Sequence, residues 1–179
     1  MKENIKGVLH KKNISLKKYN NFKINAKALN FYIPETIDGF VDLLKYFEER
    51  QKKYIVLGGG SNLLFVDEIV ETPIIFTGFF SRIENYSDGI LGYSGAKVFD
   101  LVKHAYKNSF GGLEFLFGLP GSVGGAAYMN ARCYEHSISE FIESVGIIDD
   151  NFEYNHIGIE NCDYDYKKSV FQNKKYIII

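Results

Sequence analysis

The sequence predicts an α+β fold built in two parts, and three observations carry that expectation. A helical stripe of apolar residues, Ile37, Phe40, Val41, Leu44 and Phe47, lies between two runs of strand character, Ala28 to Ile33 and Tyr54 to Leu57. Near residue 79 this strand, helix, strand order gives way to closely spaced short strands. Two glycine-rich segments, YIVLGGGSNLLF from Tyr54 and GGLEFLFGLPGSVGGAAYMNA from Gly111, stand on either side of that change.

The chain has 179 residues, enough to bury a core in one domain or two small ones. Hydrophobic residues make up 46% and charged residues 24%, which argues against a disordered or fibrous chain. With 21 Lys plus Arg against 22 Asp plus Glu, net charge gives no reason to expect a nucleic acid or a membrane as partner, so any anion site is local. The basic start MKENIKGVLHKKNISLKKYNNF lacks the apolar core of a secretion signal, and no apolar stretch is long enough to span a bilayer. A cytoplasmic protein is expected, in which the glycosylation patterns at Asn13 and Asn85 carry no meaning. Cys133 and Cys162 form no Cys-x-x-Cys pair and have no ligand-spaced histidine, so free buried thiols are expected and no metal.

Taken in order, residues 1–19 read as a Lys- and Asn-rich lead-in with a short helix. Residues 20–78 form the first subdomain. There Pro34 ends a strand, and Thr36 caps a helix that runs to about Gln51 with Asp42, Lys45, Glu48 and Glu49 on its solvated face. The strand at Tyr54 enters the first glycine loop, a second apolar run follows from Leu63 to Val66, and another strand lies near Ile74 to Thr77. Residues 79–179 form the second subdomain. Strands are expected at Ile83 to Tyr86 and Ile90 to Ser94, then a helix from Val98 to Asn108 that buries Val98, Leu101, Val102 and Ala105. Further strands are expected at Ser144 to Asp149, Phe152 to His156 and Tyr176 to Ile179. A chain that stops inside that last apolar run reads as a cut through a larger fold.

Glycine-rich turns allow positive φ and close approach of a ligand, and their successive amide N–H groups can line a concave anion site without any lysine. In the first loop Ser61 and Asn62 add hydrogen-bonding side chains, and in the second Ser122 has the corresponding polar role. A lone triple glycine reads first as a tight turn. Two such loops with serine and asparagine between apolar strands favour a pyrophosphate cradle instead. Neither loop fits G-x-G-x-x-G opening a helix or G-x-x-x-x-G-K-[ST], which speaks against a Rossmann domain and a P-loop NTPase.

YIVLGGGSNLLF, GGLEFLFGLPGSVGGAAYMNA and CDYDYKKSVF, in that order, together with NNFKINAKALNFYIPET, resemble the UDP-N-acetylenolpyruvoylglucosamine reductase family from about Tyr19 to the last residue. The resemblance implies an FAD-binding fold of the vanillyl-alcohol-oxidase (PCMH) type, with two α/β subdomains and the flavin between them. It implies FAD contacts at Gly58, Gly59, Gly60, Ser61 and Asn62 on the first loop. On the second it implies Gly118, Pro120, Gly121, Ser122, Gly124, Gly125 and Ala126, and in the Ser94-Gly95-Ala96 turn Gly95. It also implies a reaction in which NADPH reduces FAD and hydride then passes to the enolpyruvyl double bond of a UDP-sugar, giving UDP-N-acetylmuramate for peptidoglycan. The enolate-like intermediate needs cations or donors.

The family's stretch equivalent to CDYDYKKSVF carries arginine after the second tyrosine, where this sequence has Lys167 beside Tyr166. Lysine keeps the charge and loses the bidentate fork. The resemblance therefore implies a catalytic place for Lys167, supported by Tyr166, against the alternative of a solvated lysine. The family's proton-donor serine and its glutamate belong to a third domain and match no residue here; Ser169 and Glu143 stand in other motif contexts. Three further readings stay open: a flavin-binding module without turnover, another flavin oxidoreductase of the same fold, and a short-chain-dehydrogenase pair at Tyr164-x-x-x-Lys168. The last lacks its N-terminal glycine motif. His10, His104, His136 and His156 are too scattered to imply a metal or a triad.

Overall fold

The computed structural model describes residues 5–179. It divides into two compact units, Met1–Phe79 and Phe80–Ile179.

Among the described residues the first unit is a five-stranded sheet with one α-helix and a 3-10 turn at Lys17–Tyr19. Strands β1 (Val8–Ser15) and β2 (Lys27–Pro34) pair antiparallel, from Val8 opposite Pro34 to Ser15 opposite Lys27. Helix α1 (Ile37–Glu49) follows, then β3 (Ile55–Leu57), β4 (Ile69–Val70) and β5 (Ile74–Phe76). The sheet order is β1-β2-β5-β3, all parallel beyond the first pair, with β4 also parallel to β2. Successive residues of a strand face opposite sides, and β2 uses both. Phe31 packs with Leu16, Leu57, Phe65 and Ile74, while the Tyr32 ring meets Phe47 of α1 edge-on at 5.3 Å.

Helix α1 begins where expected, because the Thr36 side chain accepts the Gly39 amide at 3.0 Å. Its buried residues are Gly39, Phe40, Leu43, Leu44 and Phe47, so the stripe adds Leu43, while Ile37 and Val41 are only half-buried. Removing a fully buried ring such as Phe47 costs about 3–5 kcal/mol by the usual large-to-small substitutions.

Two expectations for this unit change. The lead-in holds a strand, β1, besides a short 3-10 helix at Lys17–Tyr19. Val8, His10 and Ile14 are half-buried between exposed neighbours along β1, and pairing with the strand at 27–34 sets its extended conformation. Residues 1–4 lie outside the described part. The apolar run Leu63 to Val66 is no strand either: Phe65 is buried, but Leu64 and Val66 are 61% and 81% exposed.

The second unit opens with the hairpin of β6 (Ile83–Tyr86) and β7 (Gly89–Gly92). Helix α2 (Val98–Lys107) buries Val98, Leu101, Val102 and Ala105, the stripe expected of it. A six-residue helix, α3 (Val123–Tyr128), follows the second glycine segment, then the small hairpin of β8 (Arg132–Cys133) and β9 (His136–Ser137). Strands β10 (Ser144–Ile148), β11 (Tyr154–Gly158) and β12 (Ile177–Ile178) form an antiparallel sheet with β10 in the centre. Val98, Val102, Leu116, Ala126 and Ile138 make one core cluster of this unit, and Val145, Ile147, Cys162, Val170 and Phe171 make another. Among the described residues no helix is long and apolar enough to cross a membrane.

Candidate functional site

The first glycine loop leaves β3 at Gly58 and is shaped by a buried asparagine. Asn20 is 2% exposed; its Nδ2 donates to the carbonyls of Leu16 at 2.8 Å and Ile24 at 3.0 Å, and its Oδ1 accepts the Ile24 amide at 3.0 Å. This knot holds the 16–24 turn against the loop, where the Asn21 amide donates to the Gly60 carbonyl at 3.2 Å. Gly60 has φ +64°, and a Cβ there would run into the carbonyl of Tyr19. The requirement for glycine at this position is therefore structural. Gly58 and Ser61 are half-buried, while Gly59 and Asn62 form the exposed rim.

The second segment does more than turn. Ser122 caps α3, its Oγ accepting the Gly125 amide at 3.3 Å. The amides of Val123 and Gly124 donate to the carbonyls of Ala96 at 2.8 Å and Ser94 at 2.9 Å, and the amide of Val98 donates to the carbonyl of Gly121 at 3.1 Å. The segment thus opens a helix, and the amides of Val123, Gly124 and Gly125 are engaged by the 94–98 segment and the cap.

These bonds draw Ser94-Gly95-Ala96 and Gly121-Ser122-Val123-Gly124 into one antiparallel ladder, with Lys97 bridged to Ser122. Gly124 fits against Ser94 so closely that a Cβ would lie 2.6 Å from the Ser94 Cβ. At this junction the Ser94 Oγ, on a residue 3% exposed, has no hydrogen-bond partner among the described residues. A buried hydroxyl without a partner is costly, and a ligand oxygen or nitrogen at this point would satisfy it. Gly118, at φ +85°, has open space where a side chain would stand, and Gly118, Pro120 and Gly125 are exposed. Ala126 is buried beneath them in the core. The surface is thus stripped of side chains and backed by a rigid ladder, which fits the close approach of a flat, phosphorylated cofactor.

Tyr166 and Lys167 occupy the tip of a tight turn closed by reciprocal bonds between Asp165 and Lys168, at 3.2 and 3.1 Å. Lys167 takes φ 52°, and its carbonyl accepts Gln172 Nε2 at 3.1 Å. The turn is fastened to the end of α3. Ser169 Oγ donates to the Tyr128 carbonyl at 2.6 Å, and Asn130 Nδ2 donates to the Asp165 carbonyl at 2.9 Å. Both side chains at the tip are exposed, with the Lys167 Nζ 5.6 Å from the centre of the Tyr166 ring.

Sequence reading missed three members of this region. Asn130 ties the turn to α3, Ser94 has the orphaned hydroxyl, and the Arg132 guanidinium lies over the Tyr166 ring at 5.7 Å. Of these only Arg132 had a visible signal, as a cation placed directly after the glycine segment and its helix.

The dehydrogenase-like pair does not form a site. The Tyr164 ring packs on Phe171 in the core, and burial, followed by the nearby Cys162, pushes its phenol above the ordinary tyrosine value. Among the described residues no group of three or more His, Cys, Asp or Glu side chains could hold a metal ion. Cys133 is half-buried and Cys162 buried, both as free thiols.

The chain belongs to the FAD binding domain family, whose model matches residues 28–156. Within that class it is similar to UDP-N-acetylenolpyruvoylglucosamine reductases. It is 40% identical over 166 residues to the one from Borreliella burgdorferi, covering 92% of this chain and 55% of that protein. It is 33% identical over 169 residues to the one from Listeria innocua, covering 94% and 57%. The chain thus spans about half the length of the curated relatives it matches. The crystal structure of UDP-N-acetylenolpyruvylglucosamine reductase from Thermus caldophilus superposes with a TM-score of 0.75 at 29% identity, over 96% of this chain and 59% of that one. A solvent-stable cholesterol oxidase, 14% identical with a TM-score of 0.64 over 87% of this chain and 34% of its own, shares the fold. The fold is the α+β FAD-binding fold of the vanillyl-alcohol-oxidase type.

Proposed function

We propose that this chain supplies the FAD-binding part of an NADPH-dependent reductase that converts UDP-N-acetylglucosamine enolpyruvate to UDP-N-acetylmuramate. It would do so in the cytoplasm, serving peptidoglycan synthesis and through it cell shape and division. The observation that carries the reading is similarity to the Borreliella burgdorferi reductase across 92% of the chain.

Gly58, Gly59, Gly60, Ser61 and Asn62 would hold FAD from the first unit. Gly95, Gly118, Pro120, Gly121, Ser122, Gly124, Gly125 and Ala126 would hold it from the second, with Ser94 Oγ as a further partner. FAD, when bound, supplies the hydride carrier between NADPH and the enolpyruvyl double bond. The chain's own contribution is placement and charge. The side-chain-free surface admits the cofactor, the buried ladder keeps that surface from relaxing, and the Lys167 ammonium with Tyr166 places positive charge where the substrate carboxylate gathers electron density.

A chimera tests the reading: this chain joined to the remaining part of the Borreliella burgdorferi reductase. NADPH oxidation that depends on UDP-N-acetylglucosamine enolpyruvate is the expected result. A chimera that carries flavin yet shows no such dependence contradicts the reductase reading. It favours instead a flavin-binding module without turnover.

A further inference from the structure

We infer that Arg132 and Lys167 together bind the carboxylate of the substrate, with Arg132 supplying the planar guanidinium fork that position 167 lacks in this chain. The inference rests on the reductase reading above. Its ground is geometric: two cations from segments 35 residues apart converge on one exposed aromatic ring, Arg132 at 5.7 Å and Lys167 at 5.6 Å from the centre of Tyr166.

Both are held at the backbone. Arg132 pairs with Ser137 across the β8-β9 hairpin, and the Ala131 amide before it donates to the Ala126 carbonyl of α3 at 2.8 Å. Lys167 sits in the turn that Gln172 and Asn130 fasten to the end of the same helix. One short helix therefore anchors the backbone from which both exposed cations reach the ring.

The charge of the pair is only partly offset: after the His136 and Ser137 hydrogen bonds, the Arg132 charge also helps hold the Glu140 carboxyl below its ordinary value. Among the described residues neither Arg132 nor Lys167 is within 4 Å of a carboxylate oxygen. Of the nearby acids, Asp165 uses its Oδ1 to accept the Tyr166 amide at 2.7 Å. Glu140 is taken by His136 Nδ1 at 2.8 Å and the Ser137 amide at 2.7 Å. A guanidinium stacked on an aromatic face keeps its edge N–H groups available for a bidentate carboxylate, and a neighbouring ammonium adds charge without competing for that geometry. An enol ether carboxylate has the planar two-oxygen group this arrangement fits.

The test is a titration of the FAD-loaded, 15N-labelled chain with two probes, UDP-N-acetylglucosamine enolpyruvate and 2-methoxyacrylate, read at the backbone amides of Arg132 and of residues 165–168. Both probes should shift these amides. Arg132→Lys should weaken binding about tenfold, as loss of one bidentate bond implies, and Arg132→Gln should weaken it more. Arg132→Lys with Lys167→Arg should recover most of the affinity by restoring one guanidinium. Because Arg132 is exposed, unchanged amide dispersion and flavin absorbance serve as the folding control. Binding of both probes by Arg132→Gln at parental affinity overturns the inference alone, as does a parent silent to both probes while carrying flavin. A parent that binds the small acrylate through Arg132 and ignores the UDP-sugar keeps the inference and removes the UDP-sugar substrate.

Discussion

The side chain of Asn130 donates from Nδ2 to the carbonyl oxygen of Asp165 at 2.9 Å, across 35 residues of sequence. Its Oδ1 accepts the Ser139 amide at 3.3 Å, and its own backbone takes φ 43° just past the end of α3. One asparagine thus ends a helix in the conformation asparagine tolerates best and locks the Tyr166-Lys167 turn beside the second glycine segment.

Replacing Asn130 by alanine removes both bonds from a residue that is 4% exposed and leaves at φ 43° a residue that tolerates the left-handed conformation less well than asparagine. The expected loss is about 1–3 kcal/mol of stability, read as a lower urea midpoint. Asn130→Gly relieves the backbone and still loses the bonds, so it should fall between alanine and the parent. A midpoint unchanged in both variants contradicts the role given to this side chain.

Gly60→Ala should abolish flavin binding or lower stability sharply, because the new methyl has only the backbone of Tyr19 and Asn20 to meet, at a positive φ. The measurement is flavin retention together with thermal unfolding. Normal values for both would mean that the loop yields easily and that the Asn20 knot does not hold it.

The contrast between what was legible and what was not lies in range. Thr36 as a cap and the α2 stripe from Val98 to Ala105 follow from local rules of spacing, and sequence states them directly. Strand β1 was hidden because its reason for being a strand is the partner at 27–34. The bonding of the Val123 and Gly124 amides was hidden because their acceptors, Ala96 and Ser94, lie about 30 residues upstream. The convergence of Arg132 on Tyr166 is likewise a long-range fact that no motif encodes.

Gly124 and Gly118 separate packing from conformation within one segment. Gly124→Ala forces a methyl against the Ser94 side chain and backbone and should cost about 1–3 kcal/mol. It should also weaken FAD binding by displacing the ladder. Gly118→Ala meets no atom and pays only for φ +85°, so its stability change should be the smaller of the two. Equal unfolding midpoints in the two variants contradict a close fit at Ser94.

Cys162 gives a pH signature. Burial, with smaller contributions from Glu160 and Asp163, pushes its thiol from an ordinary value of 9.0 to about 11. The unfolded chain then releases this proton before the folded chain does. Stability is therefore full below about pH 9 and falls as pH rises toward 11. Tyr164 shifts in the same direction for the same first cause, so it adds to the fall at higher pH. Urea midpoints across this range should decline less in Cys162→Ala than in the parent, and half-buried Cys133 should be alkylated first. Parallel declines in the two proteins contradict the assignment to Cys162.

The FAD proposal assigns cofactor contacts to the glycine loop held by Asn20 and to the segment packed at the Ser94–Gly124 junction. The direct measurement is equilibrium binding of FAD to the purified chain, read by flavin absorbance and fluorescence. The expected result is a yellow protein that binds one FAD per chain and binds it more weakly in Gly124→Ala. A folded chain that stays colourless and takes up no added FAD under native conditions would contradict it.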